Sequence, residues 1–377
     1  MPYEFERTHR LAVLGGGPGG YEAALTGAQL GAEVTLVERA GVGGSAVLTD
    51  VVPSKTLIAT AEAATAVGEA ADLGVQFYTR NDKDRPVRPE VAVNLGAVNK
   101  RLLALAQQQS ADMKAQLVRA GVRIVQGDGR LEDANTIIAS TGRGAARTDF
   151  DEITADTLVV AVGARPRVLP TAKPDGERIF TWTQLYALES IPEHLIVVGS
   201  GVTGAEFASA YLALGAKVTL VSSRDQVLPG EDADAASVIE AVFKRNGMTV
   251  LNKSRMASVE RDGDTVVVKL VDGREVTGSH ALLALGSVPN NAGIGLEEAG
   301  IQLAESGHIR VNRVARTGSG TVIGGVVVAP KASDLILPIA LAVEHRLTVD
   351  QLARAFSVYP SLSGSITDAA RAMHIVG

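Results

Sequence analysis

Residues 11–38 read LAVLGGGPGGYEAALTGAQLGAEVTLVE. Four apolar residues lead into a glycine-rich turn, then a stretch with apolar residues at helical spacing, then a second apolar run that ends in Glu38, which is the pattern of a strand–helix–strand unit. Each glycine of the turn has a separate physical task. Gly15 makes the tight turn, Gly17 lets the backbone approach a pyrophosphate, and Gly20 lets helix and strand pack closely. The helix N-terminus offers free N–H groups and the positive end of its dipole to that phosphate. Glu38 is placed to accept hydrogen bonds from an adenosine ribose. The unit predicts an α/β domain with a parallel sheet that binds a dinucleotide.

The pattern returns at residues 194–224, HLIVVGSGVTGAEFASAYLALGAKVTLVSSR. Gly199, Gly201 and Gly204 repeat the spacing of the first three glycines, so two Rossmann-like domains and two nucleotides are expected. Each unit is followed by short alternating strands, as in VERDGDTVVVKLVDGREV (259–276), which predict β-meanders. Each set closes on an apolar strand and a glycine-proline turn, AVGARP (161–166) and ALGSVP (284–289), read as points where the chain passes between domains. An acid at the end of the second strand selects NAD by bonding the ribose hydroxyls. The second unit has Ser222, Ser223 and Arg224 there instead, hydroxyl donors and a guanidinium suited to a 2′-phosphate, which argues for NADPH or for use of both NADPH and NADH.

At 377 residues the chain is too long for one ordinary core and reads as two or three domains. A formal net charge of −6, with no Lys/Arg cluster, argues against a nucleic-acid partner and against a polybasic membrane anchor. The N-terminal MPYEFERTHR is polar, unlike a signal peptide, and no apolar run approaches spanning length, so a cytoplasmic location is expected. There is no cysteine, which removes disulfides, thiolate metal sites and a catalytic thiol together. The six histidines are scattered, without the spacing that sets two ligands on one helix face, and no metal site is expected. Trp182 reads as core packing.

Two dinucleotide units with these returns, together with GGSAVLTDVVPSK at 43–55, resemble the flavoprotein disulfide reductase family, whose members include lipoamide dehydrogenase and glutathione reductase. GGGPGGYEAAL, VPSKTLIATAE, LIVVGSGVTGAEF and VYPSLSGSI are most similar to the bacterial NAD(P)H:quinone reductase-type homologues of lipoamide dehydrogenase. The resemblance implies FAD on the first unit, NAD(P)H on the second, and a C-terminal domain that forms a homodimer interface. It implies FAD contacts at Gly15, Gly17, Gly20, Glu38, Gly44, Lys55, Gly127 and Gly163, and nicotinamide-dinucleotide contacts at Gly199, Gly201, Gly204, Ser222, Arg224 and Gly286. The family frame GGxCxxxxCxPSK places its two cysteines on Ala46 and Val51. The family's HPxxxE reads YPSLSG, with Tyr359 on the histidine and Gly364 on the glutamate. All four groups of the dithiol machinery are replaced, and reduction of a disulfide by the family route needs a thiolate. The flavin half-reaction needs none of them. Lys55 and Glu206 match the lysine and glutamate that lie by the flavin ring, where the cation favours negative charge on the isoalloxazine and the glutamate holds the lysine. The function implied is FAD-dependent transfer from NAD(P)H to a quinone-like acceptor without a dithiol step. The alternatives are a catalytically inactive nucleotide-binding relative, or lipoamide activity through a thiol supplied by another protein.

The sequence also departs from the family. After GHIRVNRVART (307–317) the family continues to an Ala/Gly-Gly-Asp motif that bonds the FAD ribityl chain, whereas here Thr317 runs into GSGTVIGGVVVAP, which resembles the latter part of the interface domain. The chain is shorter than a typical member by roughly ninety residues. The expectation is that the third FAD contact and the first half of the interface domain are missing, and that one edge of the FAD sheet is open. The expected division is 1–164 for the first part of the FAD-binding domain, 165–286 for the NAD(P)H-binding domain, 287–320 for a truncated return, and 321–377 for a shortened α+β remnant of the dimerisation domain. That remnant reads as strand, helix and helix.

Overall fold

The structure, a computed structural model, describes residues 8–87, 89–141, 149–310, 321–329, 332–357 and 361–373. In chain order the first set of elements is β1 (Arg10–Leu14), α1 (Pro18–Gln29), β2 (Glu33–Glu38), α2 (Gly44–Leu48), α3 (Val51–Gly68), the hairpin β3 (Phe77–Thr79) and β4 (Asp82–Val87), α4 (Leu95–Arg119), β5 (Arg123–Gln126), β6 (Asp128–Leu131), β7 (Thr136–Ser140), β8 (Phe150–Thr154) and β9 (Thr157–Val160). The second set is β10 (Ala164–Pro166), β11 (Ile179–Thr181), β12 (His194–Val198), α5 (Val202–Ala213), β13 (Lys217–Val221), α6 (Ala233–Arg245), β14 (Thr249–Leu251), β15 (Met256–Asp262), β16 (Thr265–Leu270), β17 (Glu275–Gly278), β18 (His280–Leu283) and β19 (Ser287–Pro289). Four short helices follow: α7 (Ala332–Leu335), α8 (Leu337–Glu344), α9 (Val349–Ala353) and α10 (Gly364–Ala372).

The chain divides into two compact units, one running to Asp225 and including Phe243–Arg310, the other made of Gln226–Val242 and Val311–Gly377. The first unit holds both parallel sheets. In the first sheet the order is β5-β2-β1-β9, with Leu14 level with Val37 and Val160. Side chains alternate across it as strand geometry requires. Ala12, Leu14 and Val37 pack with Leu131, Ile137 and Ile153 of the antiparallel meander β6-β7-β8 on one face. Val13, Val34 and Leu36 pack with Tyr21, Ala24 and Leu117 of α1 and α4 on the other. Burying both faces is why these strands read as continuous apolar runs, each large side chain contributing about 1.5–3 kcal/mol. The second sheet has the order β11-β18-β12-β13-β14 and packs Ile196, Val198, Val221 and Leu283 against Val259, Val266 and Val268 of the meander β15-β16-β17.

The two glycine-proline returns find each other. β10 and β19 pair antiparallel, with Ala164 opposite Pro289 and Pro166 opposite Ser287. Trp182, just past β11, is 7% exposed and packs in the interior. Among the described residues β9 pairs only with β1, so the first sheet ends there.

The second unit corrects one expectation. The remnant 321–377 was expected to contain a strand ahead of its helices; among the described residues before α7, 321–329 form no strand and make only an isolated bridge from Thr321 to Thr348. Apolar alternation alone does not make a strand when no neighbouring strand supplies hydrogen-bond partners. The helices of the unit are set by local signals instead: Thr348 and Gln351 close a reciprocal capping box at the start of α9, and Pro338 stands in the first turn of α8. Gly364 opens α10. Tyr359, the position matched to the family histidine, lies outside the described residues.

Candidate active site

The first fingerprint turn forms as the glycine spacing requires. Gly15 has φ +98°, in the left-handed region, and a Cβ there would meet the Ala161 carbonyl oxygen at 2.4 Å. A Cβ on Gly20 would lie 1.8 Å from the Gly15 carbonyl oxygen, which fixes glycine at the point where α1 crosses the turn. Gly17, the residue before α1, is different: nothing lies within 4 Å of its would-be Cβ. The protein is packed behind the turn and open in front of it, as a pyrophosphate cradle needs. Gly199, Gly204 and Gly201 repeat all three relations, with φ +111° at Gly199, a contact of 1.9 Å from a Gly204 Cβ to the Gly199 oxygen, and open space at Gly201.

A cavity of about 860 Å³ lies in front of the first turn, lined by Gly15, Gly17, Glu38, Gly44, Gly127 and Gly163 among others. Gly20 lies beneath the turn and does not line it. Gly44, at φ +56°, brings the start of α2 against the turn, where a Cβ would touch the Gly17 Cα at 2.8 Å. Gly127 passes under the Ser140 carbonyl, 2.3 Å from a Cβ. Gly163 and Gly286 take φ +66° and +83° in the returns. Asn290, which follows β19, donates its backbone N–H to the Gly163 carbonyl and its Nδ2 to the Val162 carbonyl, each at 3.0 Å, so the returning chain closes one wall. The volume, the open glycine and the helix end fit the ADP half of FAD.

Glu38 is 7% exposed, and its two oxygens accept from three backbone N–H groups: Gly16 at 2.6 Å, Ala40 at 2.6 Å and Gly41 at 3.1 Å. These charge-assisted bonds staple the glycine turn to the turn after β2. Of roughly four lone-pair positions on the carboxylate, three are engaged, which leaves one for a ribose hydroxyl. The second unit does the same with hydroxyls. Ser222 is fully buried and its Oγ lies 2.7 Å from Ser200 Oγ, while Arg224 N donates to it at 3.1 Å. Ser222 is thus an internal staple, and the groups facing solvent beside it are Ser223 and Arg224. Lys253, also exposed, joins them by donating its backbone N–H to the Arg224 carbonyl at 2.9 Å.

Lys55 on α3 and Glu206 on α5, far apart in sequence, form an ion pair through Nζ and Oε1. Their side chains are 53% and 30% exposed, so the pair contributes at most about 1 kcal/mol to stability. Its value is positional: it fixes a cation where α3 and α5 pack. Ala46 and Val51, the positions of the family cysteines, sit in α2 and at the start of α3, and Val51 is 46% exposed. Two neighbours escaped the sequence reading. Asp50, immediately before Val51, is half-buried, and burial followed by the Glu206 carboxylate pushes its carboxyl above the usual range, with Lys55 opposing. Tyr186 is 5% exposed with no hydrogen-bond partner for its hydroxyl. A single acid in the 43–55 frame, directly before Val51, was the signal available for Asp50; nothing in the sequence marked Tyr186.

Residues 9–330 match the family model for pyridine nucleotide-disulphide oxidoreductases. An NAD(P)H dehydrogenase (quinone) of Mycobacterium tuberculosis (strain ATCC 25618 / H37Rv) is 41% identical over an alignment of 468 positions that covers 96% of this chain and 93% of the relative. That alignment is longer than the 377-residue chain, so the relative carries residues that this chain does not. A dihydrolipoyl dehydrogenase of Zymomonas mobilis subsp. mobilis is 33% identical, over 86% of this chain and 68% of the relative. Among solved structures, LpdA from Mycobacterium tuberculosis superposes with a TM-score of 0.84 at 38% identity, covering 98% of this chain and 100% of that one. The flavoprotein disulfide reductase RclA from Escherichia coli shares the fold, with a TM-score of 0.66 at 22% identity over 81% and 62% of the two chains. With two formed dinucleotide turns and these similarities, the chain belongs to the pyridine nucleotide-disulphide oxidoreductase family, which binds FAD and NAD(P)H.

Proposed function

We propose that the protein is an NAD(P)H:quinone-type oxidoreductase that uses FAD and no dithiol. The observation that carries the reading is the Lys55–Glu206 pair, held at the α3–α5 contact, in a chain whose two cysteine positions are Ala46 and Val51. Bound FAD supplies the two-electron chemistry that joins a nicotinamide donor to an acceptor. The residues of this chain divide the remaining work. Gly15 and Gly17 with the α1 N-terminus would hold the FAD pyrophosphate, Gly20 lets α1 pack against the turn behind them, Glu38 shapes the turn and meets the ribose, and Gly44, Gly127 and Gly163 keep the cavity walls close. Lys55, steadied by Glu206, places positive charge beside the ring. Gly199, Gly201 and Gly204 hold the pyrophosphate of NAD(P)H, and Gly286 shapes the return chain by its domain. Arg224 and Lys253 favour NADPH over NADH by pairing with its 2′-phosphate. The domain division 1–164, 165–286, 287–320 and 321–377 is part of the same reading.

The name of the Mycobacterium tuberculosis relative, NAD(P)H dehydrogenase (quinone), supports a quinone-like acceptor. The test is a pair of anaerobic assays with NADPH, one with a benzoquinone and one with lipoamide. Turnover of the benzoquinone alone is expected. Turnover of lipoamide would overturn the thiol-free mechanism, and a purified protein that neither contains nor takes up FAD would reduce the reading to a nucleotide-binding relative.

A further inference from the structure

We propose that Asp50 is the proton donor to the electron acceptor, bound at the α2–α3 junction where other members of the family carry their thiols. The inference rests on the quinone-type reading above and names the group that supplies its proton. Thr49 and Thr183 both line the cavity; Thr49 precedes Asp50, and Thr183 lies two residues before the turn Leu185–Ala187 that carries Tyr186. Asp50 precedes α3 yet makes no side-chain capping bond, so its carboxyl is not consumed by the helix end. Beside it, Val51 is 46% exposed and offers an apolar contact suited to a flat ring.

The charged and titratable groups around Asp50 come from three elements. Lys55 lies on α3, Glu206 on α5 and Tyr186 on the turn Leu185–Ala187, with Tyr211 of α5 beside Tyr186. Lys55 and Glu206 satisfy each other's charge. Tyr186 and Tyr211 are buried, lack hydrogen-bond partners at their hydroxyls, and are pushed upward by burial, so both keep their protons. Asp50 is the member left to exchange one. Burial and the Glu206 carboxylate favour its neutral form, and partial exposure gives water access for its return.

Reduction of a quinone to a hydroquinone takes two electrons and two protons. NAD(P)H is oxidised and supplies both electrons and one proton as a hydride; the second proton comes from water. In the step assigned to Asp50, its carboxyl O–H bond breaks and an O–H bond forms on the acceptor oxygen. The resulting carboxylate is reprotonated from solvent.

Two measurements on the full chain test this. With NADPH as donor, Asp50→Asn is expected to lower the benzoquinone rate about a hundredfold relative to the ferricyanide rate, because ferricyanide takes an electron without a proton. Asp50→Glu is expected to recover part of the loss, and the wild-type benzoquinone rate is expected to fall as pH rises through the Asp50 titration. Carbon-13 NMR of aspartate-labelled protein, with Asp50→Asn assigning the signal, is expected to show Asp50 titrating above the ordinary aspartate range and moving down in Glu206→Gln. An unchanged rate ratio in an active enzyme, or an Asp50 signal in the ordinary range, overturns the role of Asp50 alone. A wild type that reduces neither acceptor overturns the oxidoreductase reading and the donor role with it.

Discussion

At the residue scale, the glycines of the first turn do two separable jobs, and substitution distinguishes them. A Cβ at Gly20 lies 1.8 Å from a backbone oxygen that cannot swing away, so Gly20→Ala is expected to destabilise the protein by about 3 kcal/mol or more in urea unfolding. Gly17→Ala meets nothing within 4 Å and is expected to leave stability within about 0.5 kcal/mol while weakening FAD binding. Equal losses of stability in the two variants would contradict this assignment. Lys55→Met is expected to slow reduction by NADPH at least tenfold while stability changes by less than about 1 kcal/mol, since the ion pair is largely exposed. Asp50 has a linkage consequence. A carboxyl whose folded-state titration is raised contributes stability that is present below its unfolded value and lost as pH rises through the folded one. Asp50→Asn is therefore expected to raise Tm near neutral pH and to lose that advantage in acid.

At the element scale, both strand–helix–strand units were legible because three signals agree over each: buried strands read as apolar runs, glycine spacing demands a specific turn, and the helix stripe covers the sheet. Glu38 and Ser222 were legible as positions, and the structure adds an internal role that the sequence reading did not contain. Strand ends are where backbone N–H groups run out of ladder partners, so a polar side chain there is drawn inward to satisfy them. Glu38 meets Ala40 and Gly41 locally and Ser222 meets Arg224 N, but the bonds from Glu38 to Gly16 and from Ser222 to Ser200 each span 22 residues and leave no trace in a local window. With Ser222 turned inward, the proposed preference for NADPH rests on the exposed Arg224. Arg224→Ala is expected to cut kcat/KM for NADPH about tenfold to a hundredfold with little effect on NADH, measured in parallel steady-state assays. Equal losses for both donors would place Arg224 outside the 2′-phosphate site.

At the scale of the whole molecule, the meeting of Lys55 with Glu206 was foreseen only through family resemblance, and the two glycine-proline returns were legible as turns while their pairing as β10 and β19 was not, since contacts so distant in sequence leave no periodic trace. The second unit was harder still. Its apolar run at 321–329 carries a strand pattern without the sheet that would realise it. Ile323, Leu337 and Phe356 are left 75%, 58% and 94% exposed. No helix among the described residues is long and apolar enough to cross a membrane. The central claim is that a chain without cysteine keeps a working flavin site on two intact dinucleotide turns. Its most direct test is the visible spectrum of the purified protein, with released FAD quantified, followed through anaerobic addition of NADPH and then of a benzoquinone. Near-stoichiometric FAD whose band bleaches with NADPH and returns with the quinone is the predicted result. A colourless protein that takes up no FAD, or a flavin band that NADPH leaves unchanged, would contradict it.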